Sequence, residues 1–253
     1  MIIRCYALLL VLAICASCAN KKDILYLQDA NLNASGDILY NSPTIQPNDI
    51  LRITVGSLDP ELSIPYNRNS SGLQQSIALM QLEGYLVNTD YNIDFPILGK
   101  ISTLNLTTVQ LADSIKKKLI SGGHLNAPDV SVRLINAKIT ILGEVNSPGT
   151  YNFTEQNITV MQALGYAGDL TINGKRDDIL ITREIDGVRK VAHINLTSSE
   201  FMKSPYYFVK PNDLIIVNPN DPRVKSSGFV GNVGTLATVI SLVLSLTILI
   251  TTR

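Results

Sequence analysis

Apolar positions are distributed unevenly along this chain. Two long apolar stretches bracket a middle in which short alternating runs are punctuated by Asn, Asp, Gly and Pro. Near the start, Tyr6 to Ile14 is an unbroken apolar run, and Arg4 is the only charge before Lys21. That layout is a secretory signal, too short to cross a bilayer. At the far end, Phe229 to Thr252 carries no Asp, Glu, Lys or Arg, with Arg223 and Lys225 before it and Arg253 after it. At about 1.5 Å per residue this stretch is long enough to cross a hydrocarbon core of about 30 Å. Wound as a helix, it places Gly231, Gly234, Thr235, Thr238, Ser241 and Ser245 on one face about 120° wide. The stripe reads either as a face that packs against copies of the same helix or as the ordinary Ser and Thr content of membrane helices.

The middle predicts two β-rich units. Residues 18–43 are Asn-, Asp- and Ser-rich and read as an extended tether, with Ile24 to Leu27 as one short strand. Pro47-Asn48-Asp49 then forms a turn leading into the alternating strand Ile50 to Val55. Leu73 to Leu82 is a short helix or a loop. Tyr85 to Val87 and Asp94 to Ile97 read as paired strands around Asn88 to Asn92. A helix opens at Thr107 or Thr108 and runs to about Ile120, with Leu111, Ile115 and Leu119 on one face. Lys116, Lys117 and Lys118 suit its C-terminal end or an anion. Val130 to Ile135 follows as a strand. In the second unit, Ile139 to Val145 and Thr150 to Phe153 form a hairpin around Asn146-Ser147-Pro148-Gly149. Thr159 to Ala167 is a helix ended by Gly168. Ile179 to Arg183 pairs with Lys190 to Ile194 around Asp186-Gly187. The last strand, entered through Lys210-Pro211-Asn212-Asp213, repeats the turn that opened the first unit. Shared turn chemistry and a shared functional role both account for that repeat.

Composition narrows the function. Charged residues are 17% of the chain, with 21 basic against 21 acidic side chains. That balance argues against nucleic acid as a partner, since phosphate neutralisation needs a basic excess. The three cysteines, Cys5, Cys15 and Cys18, all lie within the first 18 residues, and cleavage before Cys18 leaves one, so the mature chain can form no internal disulfide. Small residues before Cys18 resemble the bacterial lipobox, in which cleavage leaves that cysteine acylated; a plain secretory signal is the other reading. The two histidines, His124 in a Gly-Gly-His-Leu loop and His193 in a strand, have no evident acid or nucleophile beside them. Asp59, Glu61, Asp177 and Asp178 fall in expected turns. No metal, cofactor or catalytic site is expected, and the chain reads as a non-enzyme.

In this order the elements resemble the Wza-type outer-membrane polysaccharide export lipoproteins. Pro47-Asn48-Asp49, Gly84-Tyr85-Leu86-Val87, Phe95 to Ile101, the helix after Leu106-Thr107 and Pro128 to Val132 resemble the polysaccharide export domain. Gly143 to Gly149, Thr159 to Leu164, Ala167-Gly168 and Lys210 to Asp213 resemble the soluble-ligand-binding β-grasp (SLBB) domain. The implied fold is α+β: signal peptide 1–17, lipidated tether 18–43, export domain 44–136, one β-grasp domain 137–219, linker 220–228 and a single transmembrane helix 229–252. The resemblance implies a homo-oligomeric ring of roughly eight copies, acylated at Cys18 in outer-membrane lipid, with periplasmic domains and a barrel of C-terminal helices acting as a porin for capsular polysaccharide or exopolysaccharide. An inner-membrane polysaccharide co-polymerase, a tyrosine-kinase-like chain-length regulator, is the implied partner. The family prototype carries several β-grasp domains and this chain has room for one, so a shorter periplasmic reach is expected. The alternative is a lipid-anchored sugar-binding or envelope-scaffold protein without a pore.

Overall fold

The computed structural model describes residues 24–30, 42–68, 77–185 and 187–226, with residues 234, 237–239, 241, 242 and 245 beyond them. The first unit is built on a three-stranded antiparallel sheet. Strand β1 (Ile50–Gly56) lies between β2 (Tyr85–Leu86) and β5 (Asp129–Leu134). Between β1 and β2 run a short helix α1 (Pro60–Ser63), a 3-10 turn (Ile64–Tyr66) and α2 (Ile77–Glu83). A separate hairpin pairs β3 (Asn92–Phe95) with β4 (Gly99–Ser102). Helix α3 (Thr108–Ser121) buries Leu111, Ile115 and Leu119, the face its periodicity predicts, against Leu51, Ile53, Val55 and Val132. Thr107 is its N-cap. Its hydroxyl accepts from Gln110 N–H while the Gln110 side chain accepts from Thr107 N–H, so two end donors are satisfied reciprocally.

The second unit is a five-stranded mixed sheet in the order β10-β9-β12-β6-β7. Its strands are β6 (Lys138–Gly143), β7 (Gly149–Asn152), β9 (Gly174–Ile185), β10 (Val188–Ile194) and β12 (Leu214–Pro219). A two-stranded sheet joins β8 (Ile158–Thr159) to β11 (Phe208–Val209). Helix α4 (Val160–Tyr166) carries the same Thr-x-x-Gln capping box at Thr159 and Gln162, and buries Val160, Ala163 and Leu164 in the core with Ile139, Ile141, Ile179, Ile181, Ile215 and Val217. A last short helix, α5 (Asp221–Ser226), follows β12. Gly143 sits where β6 runs parallel to β12. Its φ is 92°, and a Cβ there would lie 2.0 Å from the Val217 carbonyl oxygen, so only glycine fits.

Three expectations change. Tyr85-Leu86 pairs with β1, not with the strand after Asn88. The Asn88 side chain accepts the N–H groups of Asp90 and Asn92, folding a local turn, and a positive φ of 65° at Ile97 then closes β3 onto β4 instead. Ile24 to Leu27 is a bend, not a strand. Leu27 and Gln28 donate their N–H groups to Leu196 and Thr197, and Asp29 accepts from Ser198 and Ser199, so this part of the tether is docked on the second unit. Asp177 and Asp178 lie within β9 rather than in a turn, and antiparallel pairing sets Asp178 Oδ1 2.5 Å from His193 Nδ1, giving His193 an acid companion. The pair is well exposed and has no nucleophile beside it among its described contacts. The His193 bond is the main influence holding the Asp178 carboxyl below its ordinary value. The expected transmembrane helix 229–252 lies mostly outside the described residues, among which no helix is long and apolar enough to cross a membrane.

Candidate functional site at the domain junction

The two Pro-Asn-Asp segments fold into the same turn. Asn48 and Asn212 adopt φ of 69° and 67°, a left-handed conformation that Asn tolerates better than most side chains. Asp49 N–H donates to Gln46 O and Asp213 N–H to Lys210 O, both at 3.1 Å. Each Asp carboxylate in turn accepts the first residue's N–H, Gln46 to Asp49 Oδ2 and Lys210 to Asp213 Oδ2, both at 2.8 Å. The sequence repeat is therefore a geometric repeat, down to the side-chain bond.

The linker between the units holds both turns. Asn136 Oδ1 accepts Ile50 N–H at 2.8 Å, and its Nδ2 donates to Asn48 O at 2.9 Å. Two residues later, Lys138 O accepts Asn212 N–H at 2.7 Å. Gln46 and Asp49 from one turn and Lys210 and Pro211 from the other consequently line a single cleft of about 730 Å³. Val130 to Leu134 of β5 line it, and the outer edge of β5 has no partner strand among the described residues. Ile135 N–H donates to Ile50 O, which fixes the pairing phase and turns the N–H and C=O groups of Val130, Val132 and Leu134 outward, with no partner among the described residues.

Charge inside the cleft is mixed. Asp49 is 4% exposed, and among the described residues it has no cation within ion-pair distance. Burial pushes its carboxyl up to about 6, with the Gln46 N–H bond pulling the other way. Arg52 and Arg133 are direct cross-strand neighbours, a like-charge placement that costs stability unless something else offsets it. At the rim, Thr154 N–H donates to Glu155 Oε2, and the Tyr166 hydroxyl lies 3.5 Å from Glu155 Oε1. Tyr166 is 39% exposed and stacks on Tyr151 at 6.3 Å between centroids and 23° between planes.

Residues 40–135 match the family described as polysaccharide biosynthesis/export protein, and residues 138–191 match the SLBB domain. The first unit is a polysaccharide export domain and the second an SLBB domain. Two curated relatives are similar to this chain. The EPS I polysaccharide export outer membrane protein EpsA of Ralstonia solanacearum is 28% identical over 185 residues, covering 70% of this chain and 48% of the relative. The protein of the same name from Ralstonia nicotianae is 30% identical over 147 residues, covering 55% and 38%. The match thus spans less than half of each relative's length.

Of the residues singled out in the sequence, Cys18, Gly231 and Thr235 lie outside the described residues. Gly234, Thr238, Ser241 and Ser245 are helical and exposed. Ser241 Oγ donates to Thr238 O and Ser245 Oγ to Leu242 O, both at 2.9 Å, so these hydroxyls bond their own backbone. Composition and motif left the junction cleft and the tyrosine pair unseen. The duplicated turn was the one signal pointing to the cleft.

Proposed function

We propose that the protein is a non-enzymatic subunit of an outer-membrane assembly that exports a capsular polysaccharide or exopolysaccharide. The observation that carries this reading is the direct succession of a polysaccharide biosynthesis/export domain and an SLBB domain, in a chain similar to proteins named as exporters. In this reading Cys18 is acylated, 229–252 crosses the outer membrane, and the face containing Gly231, Gly234, Thr235, Thr238, Ser241 and Ser245 packs against neighbouring copies in a ring. The periplasmic end meets an inner-membrane chain-length regulator. The docked tether supports an orientation: Ile24 follows Cys18 by a stretch that spans at most about 20 Å, which keeps the second unit close to the acylated end.

Deleting Phe229 to Arg253 tests the reading. Surface polysaccharide should be lost while the two folded units persist, measured by extraction and quantification of cell-surface glycan. Undiminished surface glycan overturns it. Mass measurement of the detergent-extracted full chain then separates a closed ring from a monomer, the latter favouring a lipid-anchored sugar-binding or scaffold protein without a pore.

A further inference from the structure

We propose that the junction cleft is a binding site for a hydroxyl-rich segment of a glycan chain, with Tyr151 and Tyr166 stacking a sugar ring at its mouth and Asp49 and Arg133 bonding hydroxyls inside. The source of the glycan rests on the export reading above; the site rests on the groups that the fold brings together.

Four observations converge. Asp49 is more than nine-tenths buried, and its Oδ2 is spent on the turn, while Oδ1 has no donor among the described residues. Arg52 and Arg133 stand side by side with no carboxylate within 4 Å in the described structure. The outward N–H and C=O groups of Val130, Val132 and Leu134 are likewise unpaired there. These are donors and acceptors in alternation, and Asp113 and Glu184 on the walls balance the two arginines. A surface of that kind favours neither an anion nor a cation. It suits a polyol, each of whose hydroxyls can donate to a carboxylate or carbonyl and accept from a guanidinium or amide.

The tyrosine shelf separates a sugar from an extended peptide. The Tyr151 hydroxyl donates to Ser147 O, and the Tyr166 hydroxyl is held towards Glu155. With both hydroxyls engaged, the exposed surface of the stacked pair, chiefly that of Tyr166, remains for the C–H face of a pyranose. Glu155 is common to the shelf and the cleft, so a chain lying on the tyrosines continues onto β5. The cleft volume falls within the usual range of ligand sites, about 300–1,000 Å³.

The test uses the full-length protein in detergent and a partial acid hydrolysate of the cell's own surface polysaccharide, read by saturation-transfer NMR. Transfer to sugar ring protons is expected. Asp49→Asn keeps an oxygen for Gln46 N–H and changes the group offered to the cleft, and Tyr166→Ala removes the outer ring of the shelf. Each should weaken binding about tenfold with wild-type circular dichroism retained. No transfer by the wild type, or undiminished transfer by both variants, overturns the proposal. Amide exchange covers the other occupant: if Val130, Val132 and Leu134 are protected without glycan and lose protection when copies are dissociated, a strand of a second copy fills the cleft and the proposal fails. Loss of export on deleting 229–253, together with no glycan binding, sinks this inference and leaves the export reading standing. Retained export sinks that reading whatever the cleft binds.

Discussion

The two Pro-Asn-Asp turns share backbone, hydrogen bonds and burial, and differ in what faces the carboxylate. Asp213, 1% exposed, receives a bidentate guanidinium: Arg183 Nε lies 2.9 Å from Oδ1 and Nη2 lies 2.7 Å from Oδ2. Arg183 is itself 4% exposed and spends its remaining donors on the carbonyls of Pro205 and Phe208, with Tyr206 against its face. Asp49 receives one backbone N–H and opens onto the cleft. The same device is thus a closed structural joint in the second unit and an unfinished polar site in the first. Local turn chemistry explains why both sequences read Pro-Asn-Asp. It does not explain why only one is neutralised, and that difference is what singles out the cleft for the proposed glycan site.

The largest expected effect comes from making the second turn resemble the first. Arg183→Ala leaves Asp213 buried without its cation and strands two carbonyls, and should cost about 3–5 kcal/mol. Thermal or urea denaturation of the full chain reads this directly. A cost below about 1 kcal/mol would mean that the ion pair does not distinguish the two turns.

A pH titration sharpens the comparison from the other side. Asp49 titrates near 3.8 when exposed and is raised to about 6 in the fold. Between those values the folded chain holds a proton that the unfolded chain has released, so stability falls as pH rises through the window and is level above it. Asp49→Asn removes this contribution. The stability difference between wild type and variant should therefore change by something on the order of 2 kcal/mol between pH 4 and pH 6.5, with the wild type losing ground as pH rises. A difference independent of pH would show that the carboxyl is solvated by the cleft and not desolvated by it.

How far the sequence foretold this structure follows the range of the interactions involved. Helix α3 was legible because its cap at Thr107 and its face of Leu111, Ile115 and Leu119 each lie four residues from the next. The strands of the second unit were legible for the same reason, as alternating runs between turn residues. The partner of Tyr85-Leu86 was misread because pairing depends on β1, far back in the chain, while the nearest strand lay just beyond Asn88. The docking of Leu27 and Asp29 on Leu196 to Ser199 leaves no local trace at all. Nor does the cleft, which exists because one linker, Asn136 to Lys138, bonds both turns at once. The repeat of Pro-Asn-Asp could be seen in the sequence, but its meaning depended on two carboxylates and one arginine that only the fold brings to account.

The smallest expected effect is also the control on the whole comparison. If the turns are one backbone device with two electrostatic settings, removing the Asn side chain from the left-handed position must cost the same in each. Asn48→Ala and Asn212→Ala each keep the β-carbon at a φ near 70°, where an L residue other than Asn or Gly loses about 1–2 kcal/mol, but remove the amide that lets Asn tolerate it. The two costs should agree within about 0.5 kcal/mol. Asn→Gly at either position should be nearly neutral, since glycine takes the same φ freely. Unequal costs would place the difference between the turns in the backbone, and the argument that Asp49 alone is left open for a ligand would lose its reference. Equal costs, beside the unequal effects of Arg183→Ala and Asp49→Asn, would leave charge as the one variable that separates joint from site.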